Sequence, residues 1–400
     1  MKARQILMGA ASVLAMAACG EDPAVTEWRL VIQLPDVELP VHLHLDQGEA
    51  WFGNGLERVR VPEVHQQGDS WTLRFPAFNN TLSLQRDGRR LSGSLTLVKL
   101  GYEQVMPVTG TPADGHRFVD QPRPAGDVTG RWAVQFIEAE GEPTPAVGEF
   151  DQQGARVTGT FLTPTGDHRY LEGELDGDRL YLSTFDGAHA FVYQAQLQAD
   201  GSLLGDFWSG TRWHQPWTAQ RDFEARLPDP YSLTFLKEGY SGLAFSFPDL
   251  AGVPVSLADD KYRGKVVLVT LSGTWCPNCA DEVAFLSEYY RANRDRGLEI
   301  ITLLYEHFED FERAAAQGRA LVEEYGIDYE VLIAGLSDKT QAAQTLPMLN
   351  AVLAYPTMIF VDRKGEVRGI HTGFSGPGTG AHYLEFVEDF KARMDVLLAE

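Results

Sequence analysis

Two cysteines three positions apart, Cys276 and Cys279, stand in the run Gly273-Thr274-Trp275-Cys276-Pro277-Asn278-Cys279. The apolar residues Val266 to Leu271 come before them, and a helical pattern begins at Asp281. This pattern predicts a buried strand that delivers a dithiol to a helix N-terminus. Unpaired N–H groups and the positive end of the helix dipole stabilise a thiolate there. Sulfurs three residues apart share one helix face, so a local disulfide can close and reopen. Pro277 fits, because a first-turn N–H would go unpaired in any case. Cys276, nearer the helix end, is expected to be the exposed thiolate, with Cys279 one turn in and shielded. Half of a zinc site is the alternative, but the one other cysteine is Cys19, so histidines would have to complete it.

Few other residues suggest chemistry. His42 and His44 lie two apart in Val41-His42-Leu43-His44-Leu45, so on a strand both would share a face and could reach one metal. No third ligand can be placed, and the expectation is a half-buried strand with Val41, Leu43 and Leu45 inward and no metal or other cofactor. Trp208, Trp213 and Trp217 suit either a ligand groove or a core. Glu306-His307 is a polar pair near a strand end with no assignable role.

Residues 27–225 read as all-β. Alternating runs such as Trp28 to Leu34, Trp71 to Phe75, Trp132 to Phe136 and Ala190 to Ala195 are separated by Asp-Gly turns at Asp87-Gly88, Asp176-Gly177, Asp186-Gly187 and Asp200-Gly201. The expected fold is an antiparallel meander, closed as a barrel or stacked as a sandwich. Gly68-Asp69-Ser70-Trp71 is similar to Gly177-Asp178-Arg179-Leu180, and Arg90-Leu91-Ser92-Gly93 to Ser202-Leu203-Leu204-Gly205. These echoes predict two related halves, 27–122 and 126–225. Chance convergence within a meander is the alternative.

At the N-terminus, Lys2 and Arg4 precede an apolar run from Ile6 to Ala18 that ends in Met16-Ala17-Ala18-Cys19. The run is too short to span a bilayer but suits a signal peptide. The junction resembles a bacterial lipoprotein signal, which implies removal of residues 1–18, lipidation of Cys19 and a short tether over 19–26. An ordinary signal peptide with an incidental cysteine is the alternative. Gly20 after the cysteine points to the outer membrane. The 400-residue chain is 44% hydrophobic, enough for two or three domains, and its formal charge of −22 excludes nucleic acid as a natural partner.

A linker is expected over 226–242, opening at Leu227-Pro228-Asp229-Pro230, and a second domain over 243–400. Strands near 265–271, 298–304, 329–333, 357–361 and 366–371 alternate with helices near 278–293, 309–325, 338–345 and 380–398. That is a mixed sheet with helices on both faces. This half resembles the thioredoxin-like disulfide reductases of the bacterial envelope, the TlpA/ResA type. The resemblance rests on Phe247-Pro248-Asp249-Leu250, Gly264-Lys265-Val266-Val267-Leu268-Val269, Trp275-Cys276-Pro277-Asn278-Cys279 and Tyr355-Pro356-Thr357. It implies Cys276 as attacking thiol, Cys279 as resolving thiol, a redox disulfide between them, and Pro356 as a cis-proline facing them. Trp275, Pro277, Tyr355, Pro356 and Gly373 would line the substrate groove. The loop from Ile370 to Gly380 would border it, its glycines letting a partner chain approach, or would be a plain connector capped by Thr379.

The same resemblance implies that Glu282, three residues after Cys279, relays the proton of the buried thiol, since Thr270 fills the strand position where many thioredoxins carry an acid. The alternative is a solvated Glu282 that merely favours the helix N-terminus, a description Asp281 beside it fits just as well. The implied activity is reduction of disulfides in envelope proteins, fed by a thiol electron donor, on a lipid-anchored protein facing the periplasm. A peroxidase is the first alternative, but peroxiredoxins need Pro and Thr seven and three positions before the reactive cysteine, where this chain has Val269 and Gly273. A ligand-binding lipoprotein whose β region does the work is the second.

Overall fold

A computed structural model of the chain describes residues 25–400. The expected signal segment, Cys19 and most of the tether lie outside the described residues. The architecture is an all-β region followed by an α/β domain.

The first sheet is built from β1 (Glu27–Gln33), β2 (Glu38–Asp46), β3 (Glu49–Asn54), β4 (Glu57–Arg60), β5 (Glu63–Gln67), β6 (Ser70–Phe75), β7 (Asn80–Asp87), β8 (Arg90–Lys99) and β9 (Tyr102–Pro112). Their order is β4-β3-β2-β1-β9-β8-β7-β6-β5, antiparallel throughout and open between β4 and β5. The alternation of each strand sets its inner face: Trp28, Leu30 and Ile32 are buried on β1, as are Val41, Leu43 and Leu45 on β2.

The second sheet contains β10 (Gly130–Phe136), β11 (Thr144–Gln153), β12 (Arg156–Thr163), β13 (Gly166–Asp167), β14 (Leu171–Asp176), β15 (Arg179–Phe185), β16 (Ala190–Leu197), β17 (Leu203–Ser209) and β18 (Trp213–Arg221). Here the β11–β12 and β12–β14 pairings close eight of the nine strands into a barrel. In both sheets the first strand pairs with the last and the last four run as a meander, so the two share a connectivity and differ in closure. They also share a close backbone crossing. A Cβ on Gly93 of β8 would stand 1.8 Å from the Ser83 carbonyl oxygen, and one on Gly205 of β17 would stand 2.3 Å from that of Gln194.

The barrel fills its own interior with Trp132, Phe136, Phe150, Phe161, Tyr193, Phe207 and Trp217. The open sheet cannot, and Phe185, Ala190 and Val192 of the barrel complete its core. The β15–β16 turn is held there by Asn54, which donates to the Phe185 carbonyl at 3.1 Å, and by Asn80, which donates to that of Gly187 at 2.9 Å. Arg117, fully buried between the sheets, donates to Gly53 O, Asn54 Oδ1, Ser183 Oγ and Glu172. A guanidinium so placed needs every one of those acceptors.

The stretch after β18 is pinned rather than free. Thr372 N–H donates to Pro230 O, Val367 N–H to Ser241 O and Asn350 N–H to Phe235 O. The α/β domain opens with a short hairpin, β19 (Ser246–Pro248) and β20 (Pro254–Ser256). Its sheet follows as β21 (Val266–Ser272), β22 (Leu298–Glu306), β23 (Glu330–Leu336), β24 (Thr357–Val361) and β25 (Val367–Thr372), in the order β23-β22-β21-β24-β25. Strands β21, β22 and β23 run parallel, β24 runs antiparallel to them, and edge strand β25 is antiparallel to β24. Central β21 is buried at every position, as its unbroken apolar run requires. Helices α1 (Pro277–Asn293), α2 (Phe311–Tyr325), α3 (Lys339–Thr345) and α4 (Ala381–Ala399) connect and flank the strands. Helices α1 and α4 cover one face through Leu286, Phe386 and Phe390, while Ala342 and Leu346 cover the other beside the opening hairpin. Elements of this domain begin and end within three residues of their expected positions, with one correction at a cap. Gly380 is the N-cap of α4, and Thr379 instead donates its hydroxyl to Gly376 O within a short 3-10 turn.

Candidate dithiol site

Strand β21 ends at Ser272, and the chain turns through Gly273 into α1. Gly273 is needed there, because a Cβ would fall 2.4 Å from the Trp275 indole nitrogen and 2.9 Å from Tyr305 O. Cys276 is the N-cap of α1, with extended backbone angles and Pro277 next to it. Its sulfur accepts the Cys279 N–H at 3.3 Å and lies 3.5 Å from Tyr355 O. A sulfur thus takes the first-turn donor that a Ser or Asp would normally satisfy. Both thiols are free.

The exposed Cys276 expected from its place at the helix end is corrected: it is only 6% exposed, against 1% for Cys279. The Tyr355 carbonyl crowds it from one side, and a segment of the β region covers the next two residues from another. Burial pushes the Cys279 thiol well up, helped by its hydrogen bond to Cys276 and by the charges of Cys276 and Glu282.

The two adjacent acids of α1 go to different places. Glu282 is fully buried, and neither carboxylate oxygen has a hydrogen-bond partner. Burial, and secondarily the charge of Cys276, raises it well above the ordinary carboxylate range. Asp281 instead pairs with Arg169 of the β region; burial pushes it up to about 7 against the pull of that guanidinium. Thr270, beneath the dithiol on β21, shares a 3.0 Å hydroxyl contact with Thr302 and carries no charge.

Trp275 is locked by its indole N–H, which donates to Tyr305 O at 2.8 Å, and by the His307 ring stacked 4.7 Å away. Glu306, at the end of β22, accepts the Thr274 N–H at 2.9 Å and its hydroxyl at 2.8 Å. The polar pair with no role assignable from sequence thus positions both residues before Cys276.

The Tyr355–Pro356 peptide is cis, and both residues are buried. Gly373, at φ +79°, donates its N–H to Pro356 O at 3.0 Å. The structure therefore gathers Trp275, Cys276, Pro277, Cys279, Glu282, Tyr355, Pro356 and Gly373 around one point. It also adds residues that sequence reasoning missed. Asn278 donates to Asp167 O at 3.1 Å, Gly376 N–H donates to Asp167 Oδ2 at 2.7 Å, and Arg169 donates to Pro277 O at 3.2 Å. No local pattern in Thr163 to Tyr170 marks this segment, which reads as a turn.

The histidines of β2 are used separately. His42 bonds to His116 O at 3.0 Å, whereas His44 bonds to Glu27 at 2.6 Å and stacks on Trp51. No cluster of metal-ligating side chains occurs among the described residues. Trp217 lies in the barrel core and Trp213 is half exposed, so the three tryptophans form no groove. No described helix is long and apolar enough to cross a membrane.

Residues 239–370 match the family described as AhpC/TSA. The thioredoxin-like protein YneN of Bacillus subtilis is 30% identical over 141 residues, which cover 34% of this chain and 73% of YneN. The thiol-disulfide oxidoreductase ResA of Geobacillus kaustophilus is 27% identical over 140 residues, covering 35% of this chain and 72% of ResA. A solved thiol:disulfide interchange protein of the thioredoxin family from Chlorobium tepidum is 20% identical, with a TM-score of 0.29, covering 38% of this chain and 97% of its own.

Proposed function

This chain belongs, through its α/β domain, to the thioredoxin-like proteins of the AhpC/TSA family, and on that basis we propose that it reduces disulfides of envelope proteins through Cys276 and Cys279. The observation that carries the reading is a free dithiol at the first turn of α1, with Cys276 as N-cap and an unpartnered buried acid one turn beyond Cys279. The Cys276 thiolate attacks a substrate disulfide, expels one substrate thiolate and forms a mixed disulfide. Cys279 then gives its proton to the Glu282 carboxylate and attacks the Cys276 sulfur, expelling the second substrate thiolate. Two electrons pass to the substrate, and the Cys276–Cys279 disulfide must be reopened by a thiol donor. Burial raises both groups, and a raised carboxyl, once ionised, is a stronger base toward the Cys279 proton than an exposed one.

Trp275, Pro277, Tyr355, Pro356 and Gly373 are assigned to the substrate side of this site, and Cys19 to lipid attachment at the outer membrane, facing the periplasm. A peroxidase reading meets a steric objection, since Gly273 leaves no space for the threonine hydroxyl that chemistry needs. The test is the reduction potential of the dithiol, together with turnover of a disulfide substrate by the reduced full chain. A potential as low as that of thioredoxin, about −270 mV, with turnover supports a reductase, and a potential near −120 mV would mark an oxidant instead.

A further inference from the structure

The residues between the two cysteines, and the glycines beside the cis-proline, are already covered by the protein's own chain. Pro164 to Tyr170, from the end of β12 to the start of β14, lies across them. Its contacts are those a bound polypeptide would make: Asp167 O accepts from Asn278, and its carboxylate takes the Gly376 N–H. A Cβ on Gly373 would stand 3.0 Å from Pro164 O, and one on Gly378 would stand 3.0 Å from the Arg169 carbonyl carbon. The glycines of this loop thus admit a closely packed chain, and that chain is internal.

Resting on the reductase reading, we propose that this segment fills the polypeptide groove of the dithiol and sets substrate class: small or protruding disulfides are accepted, and disulfides within extended chains are rejected.

The segment is built to stay. Its residues alternate, so Asp167 and Arg169 face the Gly376 loop and the first turn of α1 while His168 points back into the barrel, bonded to the Tyr193 hydroxyl and stacked on Phe207 at 5.4 Å. Arg169 adopts φ +57°, a left-handed conformation that costs a non-glycine residue free energy. The return is a guanidinium that ties three elements together: Asp281 of α1, Glu57 of β4 at 2.5 Å, and Asp186 beyond β15 at 3.4 Å. With its side chain 12% exposed, this is a buried network that fixes geometry rather than a surface ion pair. The opposite flank of the site stays open. There a cleft of about 510 Å³ is lined by Lys99, Tyr102, His307, Phe308 and Arg313, with His307 stacked on Trp275. This cleft, which ends at His307 beside Trp275, is the approach assigned to a compact disulfide.

The reduced full chain should be assayed with bis(2-hydroxyethyl) disulfide and with a short linear peptide whose central cysteine is linked to mercaptoethanol. The wild type should turn over the small disulfide with kcat/KM at least about tenfold above that for the peptide, and Arg169→Ala should narrow the gap about tenfold by raising the peptide rate alone. Equal wild-type rates, or a ratio that Arg169→Ala leaves unchanged in a folded protein, would overturn the proposal. Should Arg169→Ala not fold, hydrogen exchange at Gly376 decides. Trapping the peptide on a Cys279→Ser protein should deprotect that amide, and continued protection overturns the proposal. Loss of both activities in the wild type would instead count against the reductase reading.

Discussion

The Trp275 indole and the His307 imidazole lie 4.7 Å apart with planes 19° from parallel, and each is fixed from behind. Trp275 is held through Tyr305 O, and His307 through a 2.8 Å bond between its Nδ1 and Ser337 Oγ. Burial, with a smaller contribution from Lys99, lowers His307 to about 3, so the ring is neutral at any working pH. The stack is therefore a packing contact that sets the wall beside Cys276, and its chemistry is not acid–base.

His307→Ala should slow disulfide exchange several-fold, on the order of 1 kcal/mol of lost stacking, and His307→Phe should restore most of it. The pH profile should keep its shape in both variants. A profile that shifts with His307 would show that the imidazole takes part in proton transfer.

Cys276→Ser should abolish exchange, whereas Cys279→Ser should accumulate mixed disulfides, visible by mass spectrometry as adducts on Cys276. The basis is their order along α1, the N-cap sulfur first and the more deeply buried thiol behind it. Adducts forming equally on Cys279 of the Cys276→Ser protein would reverse the assignment.

Glu282→Gln should slow release of the mixed disulfide and remove the limb of the pH–rate profile that rises above the ordinary carboxylate range. Below the raised pKa of Glu282 the carboxyl is protonated and cannot accept the Cys279 proton, so the wild-type rate climbs with pH as the carboxyl ionises. Asp281→Asn should leave that limb in place, because Asp281 is engaged by Arg169. The opposite pattern would move the relay to Asp281.

Stability should fall with pH through Glu306. Burial raises its carboxyl from 4.5 to about 7 against two hydrogen bonds from Thr274. A folded-state pKa above the unfolded value gives stability that is complete below pH 4.5 and lost as pH rises through about 7. The difference corresponds to on the order of 3 kcal/mol. Glu306→Gln should flatten that part of the denaturation free energy against pH. An equally steep wild-type and variant dependence would show that another group is responsible.

Cys19→Ser should release the protein from membranes or block its maturation. Intact-mass analysis of the native N-terminus checks this, since an acylated Cys19 as first residue is expected. A mature chain that begins later and carries no lipid would rule out the anchor.

What could be read from sequence was whatever short-range pattern encodes. The apolar run before Cys276, the proline after it and the period of α1 placed the dithiol at a helix start. Alternation placed Val41, Leu43 and Leu45 inward. The missing features all depend on residues far apart in the chain. The burial of Cys276 involves a segment more than a hundred residues upstream, Arg169 reaching Asp281 across a separation of 112. Glu306 found its role only because parallel pairing sets the end of β22 beside the loop after β21. Alternation is the same in an open and a closed sheet, so it could not show that one sheet of shared connectivity closes while the other stays open.

That open sheet sets an order of assembly. Its core is completed by Phe185, which stacks edge-on against Phe52, and by a turn that Asn54 grips across 131 residues. During synthesis the first sheet reaches full length while its last core residues are not yet made, so its apolar face must wait. Contacts at such separation close late and slowly. Until the β15–β16 hairpin arrives, the apolar face of the first sheet lies uncovered between two rims, β4 and β5, that have no strand to pair with, which makes the half-made chain prone to edge-to-edge association.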